Sequence, residues 1–327
     1  MQPSRTTIGI VGLGFLGRGI AACLLGYGFK VKGFTRQQST HDAARKHIGE
    51  AVGEMVDHKL VAAVARDAWP SKYEATSSLD TFRDCDFVIE SVIEDLNVKN
   101  GIFDQLEATV RDDVPIASNT SALPITVLQK GRKHPRRFVG THWGEPVHAM
   151  RFMEIIRGEQ TSDEAFQMAM ELGDAAGKDP AVLKKDIDGF IVNRIGYAMY
   201  REAFHILESG VADVESIDRA FRNAVGLWAT LAGPFRWMDL TGANLYPRVM
   251  RNLLPKLSTS TEIPPTMLKI EESGAEGIAN RKGYYQYTDE EAERWEKLLR
   301  EHAWAVRELQ EKYFGKPSGQ PSSTDRK

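Results

Sequence analysis

The segment GTHWGEPVHAMRFMEII, residues 140–156, places one imidazole and two carboxylates close together in the chain: His142, Glu145 and Glu154. Histidine takes up and returns a proton near neutral pH, which makes His142 a candidate general base. A carboxylate bonded to one ring nitrogen fixes the tautomer and stabilises the imidazolium that forms when the other nitrogen is protonated. A lone histidine is more often a core residue than a catalyst, so this spacing alone leaves both readings open.

A second chemical signal lies in IGIVGLGFLGRGIAACLL, residues 8–25, where Gly12, Gly14 and Gly17 fall at GxGxxG spacing between an apolar strand-like run and an apolar helix-like run. In a dinucleotide fold the first glycine makes the tight turn and the second lets backbone amides approach a pyrophosphate. The third lets the helix pack closely on the sheet. Gly12, Gly14, Phe15, Leu16 and Gly17 are therefore candidate cofactor contacts. An NAD site carries Asp or Glu at the end of its second strand, roughly 20 residues beyond the glycines. The strand predicted at Lys30–Phe34 runs instead into Thr35-Arg36-Gln37, with no acid before Asp42. Thr35 and Arg36 suit a 2′-phosphate, so the sequence predicts NADP favoured over NAD; otherwise Arg36 is a solvated loop cation.

These residues need a frame to hold them. The chain of 327 residues has room for two domains, and its 42% hydrophobic and 27% charged content is that of a globular protein. A net charge of −3 argues against nucleic acid as a partner. With two cysteines, Cys23 and Cys85, neither a disulfide framework nor a cysteine metal site is expected. No apolar run is long enough to span a bilayer, and the start is short and polar rather than a signal peptide. The expectation is a cytoplasmic enzyme acting on a small molecule, with no metal and no membrane partner.

Strand-like runs at Ile8–Val11, Lys30–Phe34, Phe87–Val92, Pro115–Ser118, Phe138–Thr141 and Phe152–Ile156 alternate with helical patterns at Gly17–Leu25, Asp42–Val64 and Asn97–Ala108. That alternation predicts an α/β fold, a Rossmann-like doubly wound sheet. After Lys184 the pattern becomes helical, at Phe190–Ser209, Val214–Ala224 and Asp289–Lys312. The predicted divisions are a flexible start over 1–7, the dinucleotide-binding domain over 8–184, an all-α domain over 185–314, and a disordered tail, GKPSGQPSSTDRK, over 315–327.

Further segments stand in order along the chain: VIESVIEDLNVKNGIF (88–103), SNTSALPIT (118–126), DGFIVNRI (188–195), AGPFRWMDLTG (232–242) and KGYYQY (282–287). With the glycine loop and residues 140–156 they closely resemble the 3-hydroxyacyl-CoA dehydrogenase family over nearly the whole chain. The resemblance implies a Rossmann-like domain followed by a helical substrate domain that makes a homodimer contact. It places the family's catalytic histidine on His142 and its partner glutamate on Glu154. Ser121 and Asn193 match residues that hydrogen-bond around the reacting oxygen or nicotinamide. Glu94 and Lys99 match residues that contact the ribose and nicotinamide end of the cofactor. Read without the family, Ser121 is a turn former, Asn193 a packing amide, and Glu94 with Lys99 an exposed ion pair. Phe190–Ser209 and the apolar run Gly226–Leu240, with Trp228 and Trp237, are the candidate dimer faces or else internal core of the helical domain.

The chain also departs from the family's pattern. Glu145, with Trp143 and Gly144, stands where the family has two phenylalanines and an asparagine. An ionised glutamate only accepts hydrogen bonds, so Glu145 is expected to accept from a nicotinamide carboxamide, to favour a cationic substrate group, or to pair with Arg151 or His148. The arm GEAVGEMVDH, residues 49–58, carries Glu50, Glu54 and Asp57 and no Lys or Arg, and is expected to repel the phosphates of CoA. A family lysine is replaced by Ala279. The reading is an oxidoreductase that moves hydride between a nicotinamide cofactor and a secondary alcohol or ketone, with His142 as base assisted by Glu154. The alternatives are a dehydrogenase of a small non-CoA hydroxy acid, sugar acid or cationic alcohol, and a non-catalytic dinucleotide-binding protein.

Overall fold

The computed structural model describes residues 1–316. One sheet carries eight strands: β1 (Thr7–Val11), β2 (Lys30–Phe34), β3 (Tyr73–Thr76), β4 (Phe87–Glu90), β5 (Ile116–Ser118), β6 (Phe138–Trp143), β7 (Met153–Ile156) and β8 (Ala181–Leu183). Their order across the sheet is β3-β2-β1-β4-β5-β6-β7-β8. Every neighbouring pair is parallel except β6 with β7. Helix α1 (Phe15–Gly26) follows β1, and α2 (Gln38–Asp57) follows β2. The α/β expectation and its Rossmann-like order hold.

Side chains alternate across each strand, and the two sides bury different clusters. Ile8, Ile10, Phe87 and Ile89 pack with Ile20 and Leu24 of α1 and with Ile48 and Val52 of α2. Val11, Val88 and Ile116 pack with Ile102, Phe103 and Leu106 of the helix Leu96–Thr109. Strands buried on both faces read as continuous apolar runs, which is why β1 and β4 stand out in the sequence.

The structure differs from the sequence reading in several places. The helical pattern over Asp42–Val64 stops at Asp57, because Lys59 takes a left-handed φ of 56° and the Leu60 amide turns back to the Met55 carbonyl at 2.8 Å. That geometry ends a helix and satisfies its last carbonyls. Strands β3 and β8 were not anticipated: β3 is half-polar with only its two ends buried, and β8 spans three residues. The start, expected to be flexible, makes defined contacts. Pro3–Arg5 form a 3₁₀ turn, the Met1 amino group sits 2.9 Å from Glu171 Oε2, and Thr7 already belongs to β1.

The described residues divide into two compact units, residues 1–193 with 311–316, and Arg194–Gln310. The division falls later than the expected 184/185. Asp186 accepts from the Thr126 amide at 2.5 Å and hydroxyl at 3.0 Å, and the Gly189 amide donates to the Ala122 carbonyl, so the segment past Lys184 is still tied to the first unit. The second unit is helical, and KGYYQY contributes only isolated bridges, Gly277 with Lys282 and Lys282 with Gln286. Among its described residues only Ala292, Trp304 and Arg307 are buried. The expected tail lies outside the described residues from 317 on. No helix among the described residues is long and apolar enough to cross a membrane.

The glycine loop is constrained at two points. Gly12 has φ 95°, and a Cβ there would stand 2.4 Å from the Ser91 carbonyl oxygen; a Cβ on Gly17 would stand 1.9 Å from the Gly12 carbonyl oxygen. Gly17→Ala is therefore expected to lower the unfolding free energy by about 1–3 kcal/mol through overpacking and to weaken dinucleotide binding. Urea unfolding together with cofactor titration checks this, and an unchanged denaturation midpoint counts against the packing argument.

Candidate active site

The antiparallel pairing of β6 and β7 sets His142 directly opposite Glu154. Both residues lie inside strands, whereas the sequence reading put the histidine on a loop after its strand. Facing residues of an antiparallel pair share one side of the sheet, so a separation of twelve residues in the chain closes to a contact. His142 Nδ1 lies 2.8 Å from Glu154 Oε2. The other oxygen, Oε1, accepts from the amides of Ile191 and Val192, each at 3.0 Å. Glu154 is fully buried, and these three donors are what a buried carboxylate needs. With Nδ1–H donating to the carboxylate, the lone pair of the neutral ring belongs to Nε2; this tautomer is assigned from the hydrogen bond. Phe152 meets the imidazole edge-on at 5.6 Å and Phe190 flanks it at 5.8 Å.

Around this pair the structure brings together Ser121 and Asn193. Asn193 Nδ2 donates to the Ser121 carbonyl at 2.7 Å, and the Ser121 amide donates to Glu94 Oε1 at 3.0 Å. Asn119, not singled out from the sequence although it stands in the same SNTS motif, links two parts of the site. Its Oδ1 accepts from the Trp143 amide and its Nδ2 donates to Ser91 Oγ, both at 3.0 Å. The neighbour of His142 is thereby tied to the groove wall.

That groove, of about 870 Å³, opens beyond the carboxyl ends of β1 and β4, where the strand order reverses. This is the position at which doubly wound sheets hold nucleotides. Gly12, Gly14, Phe15, Leu16, Thr35 and Arg36 line it, as do Glu94 and Ser121. Nothing lies within 4 Å of where a Gly14 side chain would stand, so the backbone there is open to a pyrophosphate at the start of α1. The residues present thus fit a dinucleotide. Gly17 does not line the groove; it presses on Gly12 and acts through the shape of the turn.

Two expectations need correcting. Lys99 is fully buried and bonds Glu90 Oε1 and Oε2 at 2.8 and 3.0 Å, so it belongs to a buried ion pair rather than an exposed one. Its second partner is Glu94 Oε2, at 3.2 Å. Burial by itself would raise the Glu94 pKa. The Thr120 hydroxyl, the Lys99 charge and the Ala122 amide outweigh it and hold the carboxyl below its ordinary value. Glu90 was missed because nothing local in VIES marks it as one end of a buried ion pair.

Glu145, in turn, pairs with neither Arg151 nor His148. Arg151 bonds Asp179 at 2.9 Å, and His148 Nε2 lies 2.9 Å from Glu54 Oε2. Glu145 turns toward α1, where its Oε2 would lie 3.2 Å from a Cβ on Gly19, and it accepts weakly from the Val147 amide at 3.4 Å. Burial pushes its carboxyl above the ordinary range, against the opposing pull of that amide and of His148, Arg18 and Lys178. Among the described residues no group of His, Cys, Asp and Glu forms a metal site.

Comparison with known proteins bears on this arrangement. Residues 7–187 match the 3-hydroxyacyl-CoA dehydrogenase NAD binding domain, and residues 189–287 match the C-terminal domain of the same family. The chain is 33% identical over 298 residues to the 5-formyl-3-hydroxy-2-methylpyridine 4-carboxylate 5-dehydrogenase of Mesorhizobium japonicum, covering 89% of this chain and 96% of that protein. It is 34% identical over 283 residues to a 3-hydroxybutyryl-CoA dehydrogenase of Bradyrhizobium diazoefficiens, covering 86% and 94%. A crystal structure of a 5-dehydrogenase for the same pyridine carboxylate, described as NAD+ dependent, superposes with a TM-score of 0.85 at 29% identity over 93% of this chain and 97% of that one. The (S)-3-hydroxybutyryl-CoA dehydrogenase of Ralstonia eutropha gives 0.71 at 29% over 86% and 99%.

The buried pair supplies a test of the groove wall. Lys99→Met removes the buried ammonium from between Glu90 and Glu94, and is expected to lower the unfolding free energy by about 3–5 kcal/mol. Chemical denaturation measures it, and a variant as stable as the parent removes the pair from the account of the fold.

Proposed function

Since the chain belongs to the 3-hydroxyacyl-CoA dehydrogenase family, whose members are NAD-dependent oxidoreductases, we propose that it interconverts a secondary alcohol and a ketone with His142 as the proton-transfer group. The observation that carries this reading is the 2.8 Å contact between His142 Nδ1 and Glu154 Oε2, which leaves Nε2 to work on the substrate. When bound, the nicotinamide supplies the acceptor or donor of hydride. His142 Nε2 takes the hydroxyl proton in the oxidative direction and returns it in reduction. Glu154 holds the ring in one tautomer and offsets the charge of the imidazolium. Ser121 and Asn193, joined at the Ser121 carbonyl, provide polar groups for the reacting oxygen; donors aimed at a developing oxyanion are worth about 3–4 kcal/mol. His142→Ala is expected to lower kcat by about 10²–10⁴-fold while NAD affinity stays within about twofold. Reduced-nicotinamide absorbance measures the first and fluorescence titration the second, and turnover near the parent rate refutes the assignment.

A second reading, a small substrate without CoA, is supported by the arm at residues 49–58, which offers no Lys or Arg to phosphates. The relative that acts on a pyridine carboxylate supports it as well.

The choice of cofactor divides family from local chemistry. The family's binding domain is described as one for NAD, and nothing in the comparisons supports NADP. Thr35 and Arg36 line the adenosine end of the groove with no acid beside them, and we infer from this a preference for NADP. Ratios of kcat/KM for the two cofactors test it, and a clear advantage for NAD ends that preference.

A homodimer through the helical unit is proposed on the exposure of Leu227, Leu231, Phe235, Leu240 and Val249, and on a unit with so few buried residues. Apolar surface of this kind is ordinarily covered. Trp228 and Trp237 stack at 5.8 Å, so they pack at least partly on each other. Light scattering is expected to give twice the chain mass, and a monomer at micromolar concentration defeats the proposal.

A further inference from the structure

We propose that Glu94 is a positioning residue, whose carboxylate builds the corner of the site that presents Ser121 and Asn193. This rests on the dehydrogenase reading above but gives Glu94 a task separate from holding the cofactor. Its Oε1 accepts from the Thr120 hydroxyl, from the amides of Ser121 and Ala122 at 3.0 and 3.1 Å, and marginally from Leu123 at 3.5 Å. Successive amides turned toward one anion form a concave nest, and here the anion belongs to the chain itself. With these donors converging on it, Oε1 has no lone pair left for a ribose hydroxyl.

The geometry behind the nest makes the carboxylate hard to redirect. Oε2 faces Lys99 Nζ at 3.2 Å, and Lys99 is buried between Glu94 and Glu90. Glu90 in turn accepts from Ser118 Oγ at 2.5 Å and from the Val92 amide at 2.8 Å. Swinging Glu94 toward a ligand would strip one carboxylate from a buried ammonium and release the loop amides together. Because the amides of residues 121 and 122 point at Glu94, the Ser121 carbonyl is free to face Asn193, whose Nδ2 bonds it at 2.7 Å. The second amide hydrogen and the oxygen of Asn193 then remain for the reacting groups. Glu94 acts on the chemistry through this chain of contacts.

The experiment uses the full-length chain and Glu94→Ala, Glu94→Gln and Thr120→Val. Each is measured for kcat at saturating NAD, for NAD affinity by fluorescence titration, and for amide hydrogen exchange over residues 120–123. Glu94→Ala is expected to lower kcat by about a hundredfold, the scale of misplacing a catalytic group by an ångström, with NAD affinity changed less than about threefold. Exchange over residues 120–123 should quicken. Glu94→Gln, whose amide oxygen can take the place of Oε1, should recover part of the rate, and Thr120→Val should fall between Glu94→Gln and the parent. Weakened NAD affinity with kcat at saturation intact would overturn the proposal, and so would exchange unchanged in Glu94→Ala. Should the parent chain oxidise no secondary alcohol, the dehydrogenase reading falls, and the exchange measurement still decides whether Glu94 builds the corner.

Discussion

A single buried carboxylate sets the terms for the candidate site. Glu154 has no exposed surface, so both its oxygens must be met by donors from the protein. One oxygen takes His142 and the other takes the amides of Ile191 and Val192. The first is met because β7 runs antiparallel to β6 in the register that places residue 154 opposite 142, while the other strand pairs of the sheet are parallel. To satisfy the second, the chain must turn sharply just before the helix Val192–Glu208. Phe190 adopts a left-handed φ of 52° there, a conformation uncommon for a bulky residue. The ring of Phe190 then lies against the imidazole. The orientation of the imidazole and the entry into that helix thus meet at one desolvated carboxylate.

The same economy recurs one strand pair away. Glu90 at the end of β4, Lys99 in the following helix and Glu94 between them share a buried ammonium between two acids. The groove that suits a dinucleotide runs past this network on one side and past the glycine turn on the other. Asn119 carries the connection across to Trp143, next to His142. The dinucleotide-sized groove and the His142–Glu154 pair are therefore parts of one hydrogen-bonded edge, built where strands end and backbone groups still need partners.

How far the sequence could be read follows from the range of each interaction. The β1–glycine–α1 unit was legible because its constraints are local: an apolar run, a positive φ at Gly12, a contact from Gly17 to Gly12 five residues away. Strand β2 was legible at both ends for the same reason. The closeness of residues 142 and 154 was anticipated, but their register as facing strand residues was not, since β7 is only four residues long and its pairing register is set across the sheet rather than by its own sequence. Lys99 was read as a cofactor contact or one half of an exposed ion pair, and its burial was not legible because its main partner, Glu90, looks like an ordinary strand-end residue. Pairing with Arg151 or His148 was one expectation for Glu145, yet those side chains bond Asp179 and Glu54, and the latter lies on α2, far back in the chain. Partners brought by the fold from distant segments leave no mark at the residue that receives them.

The arm at the end of α2 shows how pairing changes a charge argument. From the sequence, Glu50, Glu54 and Asp57 make an acidic surface unfit for a polyphosphate. In the structure each has a side-chain partner: Glu50 lies 4.0 Å from Lys46, Glu54 Oε2 lies 2.9 Å from His148 Nε2, and Asp57 meets Arg66 at 2.6 Å. The field of Glu50 and Asp57 is partly cancelled at short range, and what remains in water is screened beyond roughly 8–10 Å. Repulsion is then a weak reason to exclude CoA. The stronger reason is a deficit, since Arg66 is already committed to Asp57 and to the Gly53 carbonyl and residues 49–58 provide no cation of their own. A polyphosphate laid along this arm would lose water without gaining charge-assisted hydrogen bonds in return, and a small substrate confined to the neighbourhood of His142 would not meet that cost.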